Sequence, residues 1–400
     1  MEYWKKNLYT LWFVQVCGMM TITYIVSFIP LYISKFGITD VKEAAVWSGL
    51  LFSSTALVSA LIGPFWGTIA DRYGRKIMVE RVVFSNFVIS MLLPFVANIY
   101  QFLGIRIVQG FLTGITASCL ALVTSFTPED KMGFALGFFQ TAIMLGASLG
   151  PLAGGFLADV FGYKYTFIIM GLSSFLAWIL VHFFVEENFT PNQSTEKQSY
   201  IESFAFVFSF MPLLVMATVN FLIQYSNHVI SPVVPLLIKE MGVDEQIINT
   251  VSGSIIAVYG IFSAISAVIF GILSDRMGQR KVLLIMTFCS SIILFVTFFV
   301  KTTLQLALLR ALLGTFIGGM IPTSNALIAS MIPEERRGAT FGVTTCFSLM
   351  GNVLGPFSGG FLSLFIGLKG LFLFTAIIMF GVFLWINRMR FDFTKCEKSI

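Results

Sequence analysis

Three groups of residues in this 400-residue chain could do chemistry, and all stand among apolar neighbours. Arg106 interrupts an otherwise uncharged run, where an Arg costs roughly 2.5–3.5 kcal/mol to insert into a bilayer, so it is expected to face an interior or a wet cavity. A second reading stays open for it, in which the side chain snorkels toward the short turn Asn98-Ile-Tyr-Gln101. Asn220, Gln224, Asn227, His228 and Ser231 recur at spacings of three and four and so share one helical face. The corresponding face near the N-terminus is sparser, with Gln15, Thr23 and Ser27. His228 is one of two histidines, and an imidazole titrates near neutrality, so it can carry a proton or be a hydrogen-bonded packing group. The third group is a glycine-bounded basic turn, Gly67-Thr-Ile-Ala-Asp-Arg-Tyr-Gly-Arg-Lys76. There Asp71 can face a helix N-terminus, and Arg75 has acidic candidates in Glu129 and Asp130, the makings of an ionic latch.

What is missing narrows the chemistry. No nucleophile stands with a base and no His/Cys/Asp cluster has metal-ligand spacing. The five cysteines, Cys17, Cys119, Cys289, Cys346 and Cys396, are scattered. No Gly-Lys-Ser/Thr phosphate loop occurs. The expectation is a non-enzyme without cofactor or metal, and without ATP drive of its own.

The elements that position these groups are membrane spans. Hydrophobic residues make up 57% of the chain and charged residues 11%, against about a quarter charged in soluble domains, and the mean hydropathy is +0.88. A spanning helix needs about 20 mostly apolar residues. That requirement predicts spans over about 8–33, 46–70, 77–97, 100–125, 133–157 and 163–185, then, after a polar stretch, over about 205–237, 246–272, 281–299, 303–330, 337–363 and 366–388. The expected fold class is all-α: twelve transmembrane helices in two pseudo-symmetric six-helix bundles, 1–185 and 205–400, joined by a linker at 186–204.

Charge placement orients them. The two tails and the even-numbered connections hold seventeen of the 25 Lys and Arg residues, the odd-numbered connections six, and Arg106 and Arg310 lie inside spans. Both termini and the linker are therefore expected on the cytoplasmic side. The halves also repeat each other. The basic turn returns as Gly271-Ile-Leu-Ser-Asp-Arg-Met-Gly-Gln-Arg-Lys281, so that Asp275 and Arg276 match Asp71 and Arg72. Arg106 matches Arg310, a residue equally open to being an interface anchor or a cavity group. Gly146-Ala-Ser-Leu-Gly-Pro-Leu-Ala-Gly-Gly155 matches Gly351-Asn-Val-Leu-Gly-Pro-Phe-Ser-Gly-Gly360. In the latter pair Gly146, Gly150, Pro151, Gly154 and Gly155, with Gly355 and Pro356, remove side chains and a backbone donor, permitting close packing and a bend. Two six-helix units in the same orientation are related by an axis along the membrane normal, an arrangement expected of a rocking transporter.

These motifs, in one register over nearly the whole length, resemble the major facilitator superfamily and, within it, the drug:proton antiporter branch of the MdtG/PmrA type. The resemblance implies a latch of Gly67, Asp71, Arg72, Gly74 and Arg75 with Glu129 and Asp130, echoed by Asp275 and Arg276, in which Asp71 meets the start of the eleventh helix. It links Arg106 to proton coupling, and the Gly146–Gly155 motif to antiport. His228 joins Arg106 as a coupling candidate, and Gln15, Thr23, Asn220, Gln224, Asn227 and Ser231 are the expected cavity residues.

The function expected is export of lipophilic drugs or similar small molecules by proton antiport, from a bacterial inner membrane, by a monomer in contact with lipid and without a nucleic-acid partner. An exporter or importer of one metabolite, such as a siderophore, sugar or amino-acid derivative, is the alternative. One feature departs from the branch: all twenty acidic residues fall in loops, tails or span ends, and none lies mid-membrane.

Overall fold

In hydrocarbon a backbone N–H or C=O left unpaired costs several kcal/mol, so apolar segments of this length must be helical. The computed structural model describes residues 2–187, 206–332 and 337–389, with Asp71 and residues 337–339 described by their backbone alone. Ten described helical runs are long and apolar enough to cross a membrane. The longest, of 56 residues, would extend about 80 Å if straight, far beyond the ~30 Å hydrocarbon core. It and the run before the C-terminus each break at one glycine in the left-handed region, Gly162 (φ 77°) and Gly367 (φ 71°), which resolves ten runs into twelve spans.

In order these are α1 (Tyr3–Thr23), α2 (Val41–Tyr73), α3 (Arg75–Leu92), α4 (Ile99–Phe126), α5 and α6 (132–161 and 163–184), α7 (Met211–Glu240), α8 (Ile248–Met277), α9 (Gln279–Thr297), α10 (Thr303–Ala329), and α11 and α12 (337–366 and 368–388). Two run differently from the sequence pattern. α1 ends at Thr23 and continues through a 3-10 turn and the short helix Ile29–Tyr32. α7 is interrupted between Val229 and Val234, around Pro232, since proline lacks a donor for the preceding turn.

The internal repeat is written into the backbone. Positive φ occurs at Gly37 and Gly242, at Gly74 and Gly278, and at Gly162 and Gly367, each pair at matching positions of the two halves. The starts of α4 and α10 match too: Asn98 accepts from Gln101 N at 2.9 Å, and Thr302 forms a capping box with Gln305.

Contacts divide the chain into two compact units, Met1–Thr195 with Val234–Gly260, and Glu196–Val233 with Ile261–Ile400. In the first, α1 lies along α5 through a glycine stripe. A Cβ on Gly146 would sit 2.5 Å from Met19 Cβ, and one on Gly150 or Gly154 would overlap Met20, Thr23 or the Tyr24 carbonyl. The core of this unit joins Leu8, Leu11 and Val14 of α1 to Val79, Val82 and Val83 of α3, to Cys119, Leu122 and Val123 of α4, to Phe139 of α5 and to Val181 of α6. In the second unit Gly351, Gly355 and Gly359 of α11 repeat the stripe against Phe221, His228 and Val229 of α7. Without a hydrophobic drive between helices in lipid, such close backbone contact is what holds them together.

Replacing Gly154 with Ala therefore forces Tyr24 away and is expected to destabilise the detergent-solubilised protein by about 1–3 kcal/mol. Gly137→Ala, whose Cβ meets open space, does not lower the melting temperature. Thermal-shift measurement of the two variants side by side checks this.

Candidate functional site

Arg106 is 5% exposed and turned into the first unit. Its Nη1 donates to Gln109 Oε1 one helical turn on, its Nε to Leu51 O of α2 at 3.4 Å, and its guanidinium stands 5.9 Å from the Phe52 ring. Thr55 Oγ1 donates to Arg106 O at 3.0 Å, and beside it Gly110 brings α4 onto the α2 backbone. The Tyr24 hydroxyl lies within electrostatic reach of the guanidinium. The cation thus sits among neutral acceptors and a ring, without a fixed counter-charge among the contacts described. Above it Tyr24, Phe28, Tyr32, Phe102, Tyr163 and Phe167 form a packed aromatic cluster with centroids 5.1 to 6.1 Å apart. Two expected cavity residues are engaged between helices here: Gln15 Nε2 donates to Thr116 Oγ1 at 2.8 Å, and Thr23 Oγ1 to Gly146 O at 3.2 Å.

On the side of the Lys/Arg-rich connections, Gly74 (φ 103°) lets the chain turn sharply from α2 into α3. The first two amides of α3, Arg75 N and Lys76 N, donate to the two oxygens of Glu187 at 2.9 and 2.8 Å. That carboxylate meets orphan donors and the positive end of the helix dipole. In return Lys76 Nζ donates to His182 O at 2.9 Å, at the carbonyl end of α6, and lies 3.8 Å from Glu80. Arg75 Nη1 donates to Ala121 O at 2.8 Å, while Asp130 pairs with the neighbouring Lys131. Of the expected latch, then, Gly74 and Arg75 come together with Glu187. Gly67 has open space around it, Arg72 lies over Tyr73, and Glu129 is exposed. The Asp71 side chain and most of the 186–204 linker lie outside the described residues. The second unit repeats the staple: Gly278 (φ 90°) opens α9, and Arg280 Nη2 donates to Ile386 O and Asn387 O of α12 at 3.1 and 2.9 Å, with Asp275 and Arg276 exposed beside it.

α4 breaks at Thr113 and Gly114 (φ 125°). The carbonyls freed by the break are taken by α2 and α3: Trp66 Nε1 donates to Phe111 O at 2.7 Å and Arg81 Nη1 to Leu112 O at 3.0 Å, and Arg81 lies 3.6 Å over the Trp66 ring.

In the second unit Asn220 is 1% exposed and its Nδ2 donates to Asn325 Oδ1 of α10 at 3.3 Å. Gln224, Asn227, His228 and Ser231 are half-buried. Gln224 packs on Gly351 and His228 on Gly355 of α11, beside Phe221 and Tyr225. Arg310 is 7% exposed with its guanidinium 5.5 Å from the Phe372 ring. Pro151 and Gly155 of α5 touch Gly253 and Asn249 of α8.

A family model described as the Major Facilitator Superfamily matches residues 11–225 and 216–392. The chain belongs to the Major Facilitator Superfamily. Multidrug resistance protein MdtG of Salmonella typhimurium is 35% identical over 388 residues, covering 97% of this chain and 96% of that one, and MdtG of Salmonella arizonae is 35% identical over 389 residues with the same coverage. The fold is also that of a bacterial homolog of the human lysosomal transporter Spinster, solved in an inward-facing and occupied conformation (TM-score 0.80, 15% identity, 98% of each chain). It is likewise that of the nucleoside transporter NupG (TM-score 0.77, 12% identity, 94% of this chain and 99% of that one).

Membership of the superfamily fits a multi-pass membrane transporter, and the structure adds residues that motif reading did not reach. Gln109 was findable as the polar residue one turn from Arg106. Glu187 was not, because it falls where the chain turns polar and reads as linker. Arg81 counted only among the basic residues of the even-numbered connections, and its role with Trp66 depends on a helix break that a glycine alone does not specify.

Glu187→Gln removes the charge from the first turn of α3. Amide exchange at Arg75 and Lys76 is expected to quicken roughly fivefold, corresponding to about 1 kcal/mol of helix-terminus stabilisation, while exchange in the α3 interior stays as it was. Hydrogen–deuterium exchange of the reconstituted protein reads this directly.

Proposed function

We propose that this protein is a secondary active transporter that exports lipophilic drugs or similar small molecules by proton antiport and alternating access. The observation that carries the reading is likeness to multidrug resistance protein MdtG over 97% of the chain. The interior supports it. Arg106 is buried with neutral partners, in the same unit as a packed cluster of aromatic rings, a lining of the kind that suits apolar compounds. Arg106 and His228 are the proposed coupling residues: one a buried cation whose interactions change with any nearby proton, the other a titratable ring against the α11 glycines. Half-buried Gln224, Asn227 and Ser231 are the proposed cavity residues. The basic turn, with Glu187 as an acidic member, is the proposed cytoplasmic latch.

In this reading the moving bodies are 1–185 and 205–400, the protein works as a monomer in the cytoplasmic membrane with both termini inside, and its partners are substrate, protons and lipid. It performs no covalent chemistry and needs no nucleic acid. Pro151 and Pro356, with their flanking glycines, serve as packing and hinge points.

Transport in proteoliposomes tests the reading. Several unrelated lipophilic dyes are expected to move uphill only under an imposed pH gradient. Arg106→Ala is expected to lower gradient-driven uptake more than tenfold, with His228→Ala reducing the dependence on the gradient. If no dye responds to the gradient, drug export by antiport is wrong, and a single-metabolite carrier becomes the reading to pursue.

A further inference from the structure

On the side opposite the basic connections, the first unit has a groove of about 450 Å³ between the end of α3 and the start of α4. Ile89 and Leu92 of α3 line it, with Ile105 and Val108 of α4, and Gly104 lies between them. A Cβ on Gly104 would meet nothing within 4 Å, so this glycine serves no close helix contact and instead leaves space. Phe95, 74% exposed, and Gln101 stand where the groove reaches the helix ends. Leu92 and Val108 are 50% and 51% exposed while Arg106 is 5% exposed, so the groove lies on the outside of the bundle, away from the buried cation.

The second unit differs at the same place. The register that pairs Arg106 with Arg310 puts Leu308 where Gly104 stands, and the one that pairs Gly162 with Gly367 puts Lys369 where Lys164 stands. Lys369 is half-buried, and its Nζ donates to Val300 O at 2.7 Å, just beyond α9. Val96 matches Val300, yet Lys164 donates to no described acceptor. It is exposed, its Nζ stands 5.9 Å from the Phe95 ring, and among the described residues it forms no ion pair. At the same end of the groove Gln101 Oε1 accepts from Ala97 N at 2.9 Å, and its NH₂ group has no acceptor among the described residues.

We propose that this groove is a phospholipid site, in which one acyl chain lies over Gly104 and the lipid phosphate pairs with Lys164. A groove facing hydrocarbon is always filled by some chain, so a site differs from ordinary lipid contact only by holding the head group. Here the holding groups are an ammonium and an amide that the protein leaves without acceptors. Lys binds phosphate as a point charge through charge-assisted hydrogen bonds, and basic groups at helix ends select anionic head groups. The volume falls within the roughly 300–1,000 Å³ of sites that hold a small ligand. The second half, with Leu308 in the space and Lys369 bonded to its own backbone, has neither part. The site does not depend on which compounds the protein carries.

Native mass spectrometry of the full chain in detergent, titrated with phosphatidylglycerol, tests this. The parent is expected to bind its first lipid up to about fivefold tighter than the later ones, the effect of one exposed charge pair. Diacylglycerol, which has the same chains and no phosphate, should show no such step. Lys164→Gln should remove the step and Lys164→Arg keep it. Gly104→Leu, which copies Leu308 and meets open space, should also remove it, with a melting temperature no lower than the parent's. Leu308→Gly should leave the first step as it is in the parent. If either Lys164→Gln or Gly104→Leu binds the first lipid as the parent does, or if diacylglycerol binds as tightly, the inference fails. It fails too if Gly104→Leu weakens dye binding and leaves lipid binding unchanged, because the groove then holds the transported compound.

Discussion

The constraint on which the structure rests is that every backbone polar group inside the hydrocarbon must find its partner within the protein. Regular helix meets it automatically, and this explains the twelve spans. The informative places are those where the helix stops. At Gly114 the freed carbonyls of Phe111 and Leu112 are met by Trp66 and Arg81. At the start of α3 the orphan amides are met by Glu187, and at the start of α8 by Asp159. Each solution recruits a side chain from another helix, so each break is also a joint whose strength depends on one residue.

Close approach is the second requirement, and glycine provides it twice. The stripes Gly146–Gly150–Gly154 and Gly351–Gly355–Gly359 stand at matching positions, each laid against the first helix of its own half. A contact made of backbone and small atoms slides at less cost than one made of interlocked large side chains, because little has to be repacked. In a transporter of the rocking kind that property is as useful as the stability it gives.

The sequence made the repeated parts legible: span positions, glycine stripes, basic turns and Arg106 all announce themselves because hydropathy and motif register are local signals. The partners were hidden for a physical reason. Glu187 and Asp159 act through space on helix ends that lie 112 and 90 positions away. Neither has an unusual neighbourhood in sequence, and only the fold brings the ends together. Asn220 shows the opposite limit. Its place in a polar stripe was readable, but its partner Asn325 was not, and that pairing makes it a helix–helix contact in this arrangement.

The two halves agree in backbone and differ in chemistry, and the differences fall on one side. Arg106 has Gln109 one turn on, where Arg310 has Leu313. Trp66 and Arg81 are matched by Phe270 and Ile285, which have no side-chain donor to offer a freed carbonyl, and α10 accordingly keeps right-handed geometry at Gly318 (φ −58°) where α4 breaks at Gly114. Asp159 is matched by Leu364. A duplicated bundle needs its polar devices once, because polar groups in hydrocarbon cost stability wherever they occur. Replacing Leu313 by Gln would therefore add an acceptor near Arg310 without creating a second α4-like break, since Phe270 and Ile285 still could not pair the carbonyls such a break would free.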